Sequence, residues 1–320
     1  MILTGVDRYR IVEPLFEAVR VMLAYRGESF SPAYVQGVSG AAFRIGGICP
    51  CAPTCTSAMS TKDLIELLGY EVESFSLPAE SEDRAAFARV MVKRIKEEIA
   101  AGRPALVWHA FTNYEWDVVC GYDESHQTFL GRGSYVGLDE LAEAPQTRAT
   151  GCDICPGALF VGDRVRPFDA AGAEHAALEE AVRHAYFKPD QAQLDSGKWV
   201  FLEGLLCYDR WISDFESPSK KREGGDSYCY GVYRSTHQAA AGFLTEIAPK
   251  YPRAEQYLVA AADHFAKEAE ILDSGEALLS WQAPVGPDAD RNQRIASLLR
   301  SARAEYAAGV AAIETALTYM

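Results

Sequence analysis

The sequence predicts an α+β domain with an antiparallel sheet over residues 1–168, followed by an all-helical domain over residues 169–320. Apolar runs of strand length follow one another closely between Pro104 and Leu130, with a short polar turn between the last two. Beyond Asp169 the chain becomes rich in alanine, and its apolar residues recur at helical spacing. With 320 residues, of which 48% are hydrophobic, the chain is long enough for two domains that each bury a core.

Helices and strands alternate in the first domain. Val12 begins an amphipathic helix that tolerates Pro14 in its first turn and ends before Gly27. Thr61 is the predicted N-cap of a second helix, which stops at Gly69. The helices are predicted over residues 12–24, 61–69 and about 83–101. The strands are predicted over residues 70–77, 104–109, 115–123 and 128–130.

Helical stretches separated by two long polar loops are predicted in the second domain. The helices are predicted over residues 175–184, 196–212, 230–248, 254–272 and 291–317. The loops are predicted over residues 213–227 and 282–290, where proline, glycine, serine and charged residues gather. Tyrosine and tryptophan are frequent in this half, so they either fill a helical core or line a ligand pocket.

The formal net charge of −14 argues against a protein that tracks nucleic-acid phosphates, because its long-range field would repel them. Residues 1–9 lack a basic start followed by an apolar run, and no later apolar stretch has the length needed to span a bilayer. We therefore expect a cytoplasmic protein with neither nucleic acid nor membrane as partner. The expected partner is a small molecule or a peptide, and formation of a homodimer is left open.

Five of the eight cysteines form two groups, a C-x-C-x3-C segment and a distant C-x-x-C pair. Such turns let several thiolates face one centre, as tetrahedral zinc or an iron–sulfur cluster requires. Disulfides or plain packing of reduced thiols are the alternatives, and a cytoplasmic location disfavours disulfides. The predicted cofactor is zinc or an iron–sulfur cluster. Its predicted ligands are Cys49, Cys51, Cys55, Cys152 and Cys155.

Three short motifs occur in the order that is typical of a known family. Residues 37–44 read G-x-S-G-x-A-F-R, residues 102–108 read G-x-P-x-x-x-W, and the next strand ends in G-Y-D at residues 121–123. With the helices around them, they resemble the N-terminal domain family of butirosin biosynthesis protein H over about residues 12–161. That family is similar to the bacteriocin-processing cysteine peptidases, so the resemblance implies a papain-like fold. The helical remainder resembles the C-terminal extension found with some of these domains.

The resemblance implies a cysteine nucleophile at the start of the first helix and a histidine at the start of the strand that runs into G-Y-D. Pro14 stands at or near the cysteine position and cannot attack a carbonyl. Glu115 stands on or near the histidine position, and Arg132 or a neighbour lies where the orienting Asp or Asn is expected. The thiol chemistry of the family is therefore not expected in this chain, although a cleft is.

Several residues near the implied cleft are candidates for contacting a ligand. Glu115 and Asp117 alternate on a strand, where two carboxylates on one face can act as an acid/base pair or bind a cation or amine. The alternative is an ion pair that ties one of them to Arg44 or Arg132. His109, at a strand end, is either a base or a structural histidine. The candidate ligand-binding residues are Arg44, Trp108, His109, Glu115, Asp117 and Arg132.

Two classes of function remain open. In the first, the chain is a non-peptidase member of a papain-like family that lacks the Cys/His pair and binds a small molecule or peptide in the cleft between its domains. In the second, it is an acyltransferase or amide-processing enzyme whose displaced nucleophile is Cys49, Cys51 or Cys55. Bound metal distinguishes the two, because a metal occupies the thiols that an acyl enzyme needs free.

Overall fold

A computed structural model of the chain describes residues 1–12, 14–46, 59–76, 84–134, 137–151, 156–195 and 200–320. The chain divides into two compact units. The first unit comprises Met1–Val35 and Met59–Asp169, and the second comprises Gln36–Ala58 and Ala170–Met320. In the described part of the chain, no helix is long and apolar enough to cross a bilayer.

The first unit is built on a six-stranded sheet in which every neighbouring pair of strands is antiparallel. The strands are β1 (Tyr70–Phe75), β2 (Ala105–Trp108), β3 (Trp116–Asp123), β4 (Thr128–Arg132), β5 (Ala142–Pro145) and β6 (Ala158–Arg164). Their order across the sheet is β1-β6-β2-β3-β4-β5, so β2 and β3 lie in its middle. Helices combined with an antiparallel sheet confirm the predicted α+β class.

The central strands β2 and β3 are buried because both carry apolar runs. Leu106 lies opposite Val118, and neither side chain reaches solvent. Trp108 lies opposite Trp116 and ends the β2–β3 ladder. The connection between these two strands therefore begins directly beyond a buried tryptophan pair in the middle of the sheet.

Two strands of the sheet, β5 and β6, are not among those predicted from the sequence. β6 lies between β1 and β2 and pairs with both, but its apolar run is too short for its periodicity to distinguish strand from helix. Gly157 precedes it with a φ of 91°, and an added Cβ would lie 1.8 Å from the carbonyl oxygen of Phe75. β5 has the sequence Ala-Glu-Ala-Pro, whose residue types are depleted in strands.

The helices up to residue 151 are α1 (Pro14–Tyr25), α2 (Pro32–Val38), α3 (Thr61–Leu67), α4 (Arg84–Ala100) and α5 (Arg148–Gly151). α1 buries Phe16 and Val19 completely, as its helical spacing of apolar residues predicts. The N-cap of α3 is Ser60 rather than the predicted Thr61. The Ser60 side chain accepts a hydrogen bond from the Asp63 N–H, and the Asp63 carboxylate accepts one from the Ser60 N–H, which completes a capping box.

The second unit is helical in its described residues. Its helices are α6 (Ala170–Ala185), α7 (Gln191–Asp195), α8 (Gly204–Glu216), α9 (Gly224–Ile247), α10 (Glu255–Asp273), α11 (Glu276–Leu279) and α12 (Ala289–Leu317). α10 packs against α9 and α12, while α12 also packs against α6 and α8. A 3₁₀ turn over Ala41–Phe43 packs against α9.

The predicted polar loop over residues 213–227 is shorter than expected, because α8 continues to Glu216 and α9 begins at Gly224. The Glu223 N–H donates to Oδ2 of Asp226 at 2.7 Å as part of a capping box. Asp226 also accepts a 3.0 Å hydrogen bond from Nε1 of Trp211 on α8. These hydrogen bonds stabilise the first turn of α9, although its sequence begins with two glycines.

A polar network fills the core of the second unit. Nδ1 of His237 on α9 lies 2.8 Å from Oε1 of Glu268 on α10, and the Tyr208 hydroxyl on α8 donates to the same oxygen. The His237 ring stacks between Tyr233 and Tyr306, with ring centroids 5.8 Å and 5.6 Å away. All five side chains are buried. The network therefore joins α8, α9, α10 and α12 through contacts that depend on one another.

Candidate functional site

The connection between β2 and β3 has an unusual backbone. His109 has a φ of 59° and Tyr114 a φ of 55°, so two non-glycine residues adopt the left-handed conformation within one short connection. Such residues cost on the order of 1–3 kcal/mol each, and they gather at binding and active sites. The His109 N–H donates to the Glu115 carbonyl at 2.8 Å, which closes the connection into a loop. The surrounding structure must therefore hold this loop in place.

Asp117 on β3 provides that support. Its Oδ2 accepts hydrogen bonds from the N–H groups of Phe111 at 2.6 Å and Thr112 at 2.9 Å. The side chain is completely buried, and burial raises its pKa to about 7, although the two backbone N–H groups favour the charged form. The Thr112 hydroxyl in turn accepts a 3.1 Å hydrogen bond from the Ser134 N–H. One buried carboxyl group thus fixes the inner half of the loop.

His109 presents a hydrogen-bond donor to solvent. Its Nδ1 accepts a 2.9 Å hydrogen bond from the Tyr114 N–H, so the proton of the neutral ring is on Nε2. Burial, and then the charge of Arg148, lower the His109 pKa, which keeps the ring neutral near pH 7. The half-exposed Tyr114 ring lies 5.1 Å from the imidazole. His109 can therefore donate to a ligand but has no vacant nitrogen with which to act as a base.

Arg148, the first residue of α5, adds a cation to the loop. One of its terminal nitrogens donates to Oδ1 of Asn113 at 2.6 Å, which fixes the guanidinium against the loop. Its Nε is buried and has no hydrogen-bond acceptor among the described residues. Arg148 also forms no ion pair with any described carboxylate. The second terminal nitrogen donates to no described residue and is not among the buried atoms, so it is the donor that an anion can reach, beside the neutral histidine donor.

Trp108, His109, Glu115 and Asp117, four of the predicted ligand-binding residues, are brought together in this connection. Trp108 and Trp116 meet edge to face, with ring centroids 5.4 Å apart, and form the buried base of the loop. Glu115 is buried immediately before β3 begins. The polar part of the site consists of His109, Tyr114 and Arg148, together with Asp117, whose buried carboxyl group holds the loop. We call these four residues the His109 site.

The other two predicted ligand-binding residues are occupied within their own units. Arg132 on β4 donates to the carbonyl oxygens of Val6, Asp139 and Glu140, so its guanidinium ties the chain's N-terminal stretch to the sheet edge. Arg44 belongs to the second unit. It is buried there and forms ion pairs of 2.6 Å with Glu180 and 2.7 Å with Glu203. A structural role accounts for both arginines.

Three residues of the loop and its surroundings are not among the predicted site residues: Asn113, Tyr114 and Arg148. A polar and an aromatic residue between two strands mark Asn113-Tyr114 as a candidate loop tip, so a signal for these two exists. Arg148 carries no comparable signal, because it follows β5, a strand that is itself not predicted. Pro14, the residue near the expected nucleophile position, is the first residue of α1.

The predicted metal ligands cannot be placed, since Cys49, Cys51, Cys55, Cys152 and Cys155 lie outside the described residues. Among the residues that are described, no group of three or more His, Cys, Asp or Glu side chains is arranged to hold a metal. The three described cysteines, Cys120, Cys207 and Cys229, are buried. Burial raises the pKa of Cys120 to about 11 and that of Cys207 well above its usual value, so these two thiols are protonated at neutral pH.

Comparison with known proteins returned nothing: no protein-family model, no curated protein and no solved structure matches the chain. The resemblance to the butirosin protein H family therefore stays a prediction. The properties of the His109 site follow from its own geometry, namely a strained loop, a buried carboxyl support and an arginine that forms no ion pair with a described residue.

Proposed function

We propose that this protein binds a small molecule or a peptide through a carboxylate group at the His109 site, without cleaving it. The observation that carries the proposal is Arg148, whose guanidinium is fixed by Asn113 through one terminal nitrogen and forms no ion pair with a described carboxylate, which leaves its other terminal nitrogen for a ligand. A carboxylate supplies acceptors with the planar geometry that a guanidinium group recognises. The Nε2–H of His109 is a second donor for the same ligand.

The aromatic rings at the site favour a ligand that also carries a flat apolar group. Tyr114 is 48% exposed, and its tilted ring lies beside the imidazole of His109. A ring or apolar side chain of the ligand can pack against Tyr114 while its carboxylate meets Arg148. The proposed ligand is therefore an aromatic or apolar carboxylic acid, or the C-terminal residue of a peptide.

The absence of a nucleophile in the first helix supports binding rather than peptide cleavage. α1 contains no cysteine, and Pro14 at its start has no side-chain nucleophile. The histidine of the site donates through Nε2, which is the wrong tautomer for activating a thiol through that atom. The alternative, an acyltransferase or amide-processing enzyme that uses Cys49, Cys51 or Cys55, stays a prediction because these residues lie outside the described part.

Replacing Arg148 by methionine is expected to weaken carboxylate binding about tenfold or more, because one or two charge-assisted hydrogen bonds are lost. Isothermal titration calorimetry with N-acetyl-L-phenylalanine measures this effect directly. The corresponding amide, N-acetyl-L-phenylalaninamide, has the same ring but no charge, and we expect it to bind the wild-type protein much more weakly.

The matched control is Arg253→Met, which removes an exposed arginine of the second unit. It changes the net charge by the same amount and should leave the affinity for N-acetyl-L-phenylalanine within about twofold. If Arg148→Met and Arg253→Met bind the acid equally well, or if the amide binds as tightly as the acid, the proposed function is wrong.

The cysteine groups remain proposed ligands for zinc or an iron–sulfur cluster, on the strength of their spacing alone. Metal analysis and a visible absorption spectrum of anaerobically purified protein test this proposal. Cys152→Ser should lower metal content and melting temperature together, since metal ligation contributes to folding. Cys207→Ser, at a buried cysteine of α8, should leave the metal content unchanged. Protein that contains neither zinc nor iron would exclude the metal site.

A further inference from the structure

A concave site lies in the first unit, beside α4. It has a volume of about 640 Å³, which is within the range of small-molecule pockets. α4 forms one wall, and the other wall comes from the turn between β3 and β4 together with the segment around α5. All of its lining residues belong to the described part of the first unit. We call it the α4 groove.

Three cations line the α4 wall of the groove. Arg89, Lys93 and Lys96 follow one another at intervals of four and three residues, so they share one face of the helix and span roughly 10 Å along it. The acidic residues of the groove are Glu97 and Glu124. The groove is therefore net positive, although the whole chain carries a formal charge of −14. A local excess of cations in an acidic protein points to an anionic ligand.

The cations differ in how far they are already neutralised. Lys96 lies 2.8 Å from Glu124, whose carboxylate also receives a hydrogen bond from Gln127 at 3.3 Å. Lys93 is exposed and lies 3.6 Å from Glu97 on its own helix, a surface pair that contributes little. Arg89 is exposed and forms no ion pair with a described residue. The end of the groove near Arg89 and Lys93 is thus the end that can neutralise an anion.

The opposite end offers an aromatic surface. Tyr122 on β3 lines the groove, and the Lys96 amino group lies 5.5 Å from the centre of its ring. Gln127 stands beside it in the turn between β3 and β4 and has a φ of 53°, a strained conformation for a residue other than glycine. Because Lys96 lies over one face of this ring, a flat group of the ligand would meet the ring edge and the Lys96 ammonium while the rest of the ligand extends along α4 toward Arg89.

We propose that the α4 groove binds a nucleoside diphosphate, with its base near Tyr122 and its phosphates near Lys93 and Arg89. One phosphate group cannot reach cations spread over two turns of helix, whereas a diphosphate attached to a flat ring matches both the length and the polarity of the groove. Lysine and arginine both bind phosphate oxygens through charge-assisted hydrogen bonds. This site is separate from the His109 site and does not depend on the function proposed for it.

Titration calorimetry of the full chain with ADP tests the proposal, with adenosine and pyrophosphate as partial ligands. We expect ADP to bind at least about tenfold more tightly than either part. The double variant Arg89→Gln/Lys93→Gln should weaken ADP binding about tenfold or more. Tyr122→Leu should weaken binding of ADP but not of pyrophosphate. The circular dichroism spectrum should not change in the double variant, because both side chains are exposed.

The matched control is Lys267→Gln/Arg294→Gln, which removes two exposed cations from helices of the second unit. It lowers the net charge by the same two units and should change the ADP affinity less than about twofold. Equal losses in both double variants would show that only net charge matters and would overturn the site. Pyrophosphate binding as tight as that of ADP, or no ADP binding by the wild-type protein, would overturn the assignment to a nucleoside diphosphate.

Discussion

Glu268→Ala is expected to destabilise the protein by about 3–5 kcal/mol. The substitution removes a completely buried carboxyl group, which is the acceptor of the Tyr208 hydroxyl and lies 2.8 Å from Nδ1 of His237. Buried polar groups that lose their partner retain the full penalty of desolvation. The truncation also opens a cavity between α9 and α10. Urea unfolding followed by circular dichroism measures the loss.

Two variants control this experiment. Glu268→Gln keeps the shape of the side chain and an oxygen that can accept from Tyr208, so its loss should be clearly smaller than that of Glu268→Ala. Glu270→Ala changes an exposed glutamate on the same helix and should change the free energy of unfolding by less than about 0.5 kcal/mol. A loss below about 1 kcal/mol for Glu268→Ala would mean that the network does not support the helical core.

Asp117→Asn is expected to remove a pH dependence of stability that wild-type protein shows between about pH 4 and pH 7. Burial raises the folded-state pKa of Asp117 to about 7, above the ordinary value of 3.8. The folded state then binds more protons than the unfolded state in this window. The stabilising contribution is therefore fully present below about pH 4 and is lost as the pH rises through about 7. The full span corresponds to about 4 kcal/mol.

Asparagine keeps the oxygen that accepts the Phe111 and Thr112 N–H groups but cannot ionise. At about pH 8 we therefore expect Asp117→Asn to be more stable than wild type, by on the order of 1–3 kcal/mol, since its new N–H donors lower the gain. Asp263→Asn, at an exposed aspartate of α10, should leave the pH profile unchanged. A difference in stability between wild type and Asp117→Asn that does not change between pH 4 and 8 would contradict the burial of an ionisable Asp117.

Sequence patterns predict the helices and strands whose apolar residues repeat regularly. The remaining elements depend on hydrogen bonds that the sequence does not reveal. α1, α4, α10 and α12 were predictable because their apolar residues repeat over several turns. The start of α9 was not, because its glycine-rich sequence looks like a loop until Asp226 is seen to bond the Glu223 N–H. β5 and β6 were missed because a short strand depends on its neighbours in the sheet more than on its own composition.

The candidate site was predictable only where its residues are neighbours in sequence. His109, Glu115 and Asp117 lie at the facing ends of two strands, so a hairpin-like pairing brings them together. Their roles were not accessible: the sequence left open a carboxylate pair or an ion pair to Arg44 or Arg132, whereas the structure places Asp117 as a buried support of the loop. Arg148 could not be assigned to the site from sequence, since its position depends on the path of the chain through β4 and β5.

The Nε–H signal of Arg148 in a proton–nitrogen correlation spectrum tests carboxylate binding at the His109 site most directly. Arg148→Met assigns this signal by its disappearance. Because the Nε proton belongs to the guanidinium whose accessible terminal nitrogen meets the carboxylate, addition of N-acetyl-L-phenylalanine should shift its signal in a saturable manner. N-acetyl-L-phenylalaninamide should leave the signal in place. An Arg148 Nε–H signal that stays unchanged at saturating concentrations of the acid would contradict binding at this site.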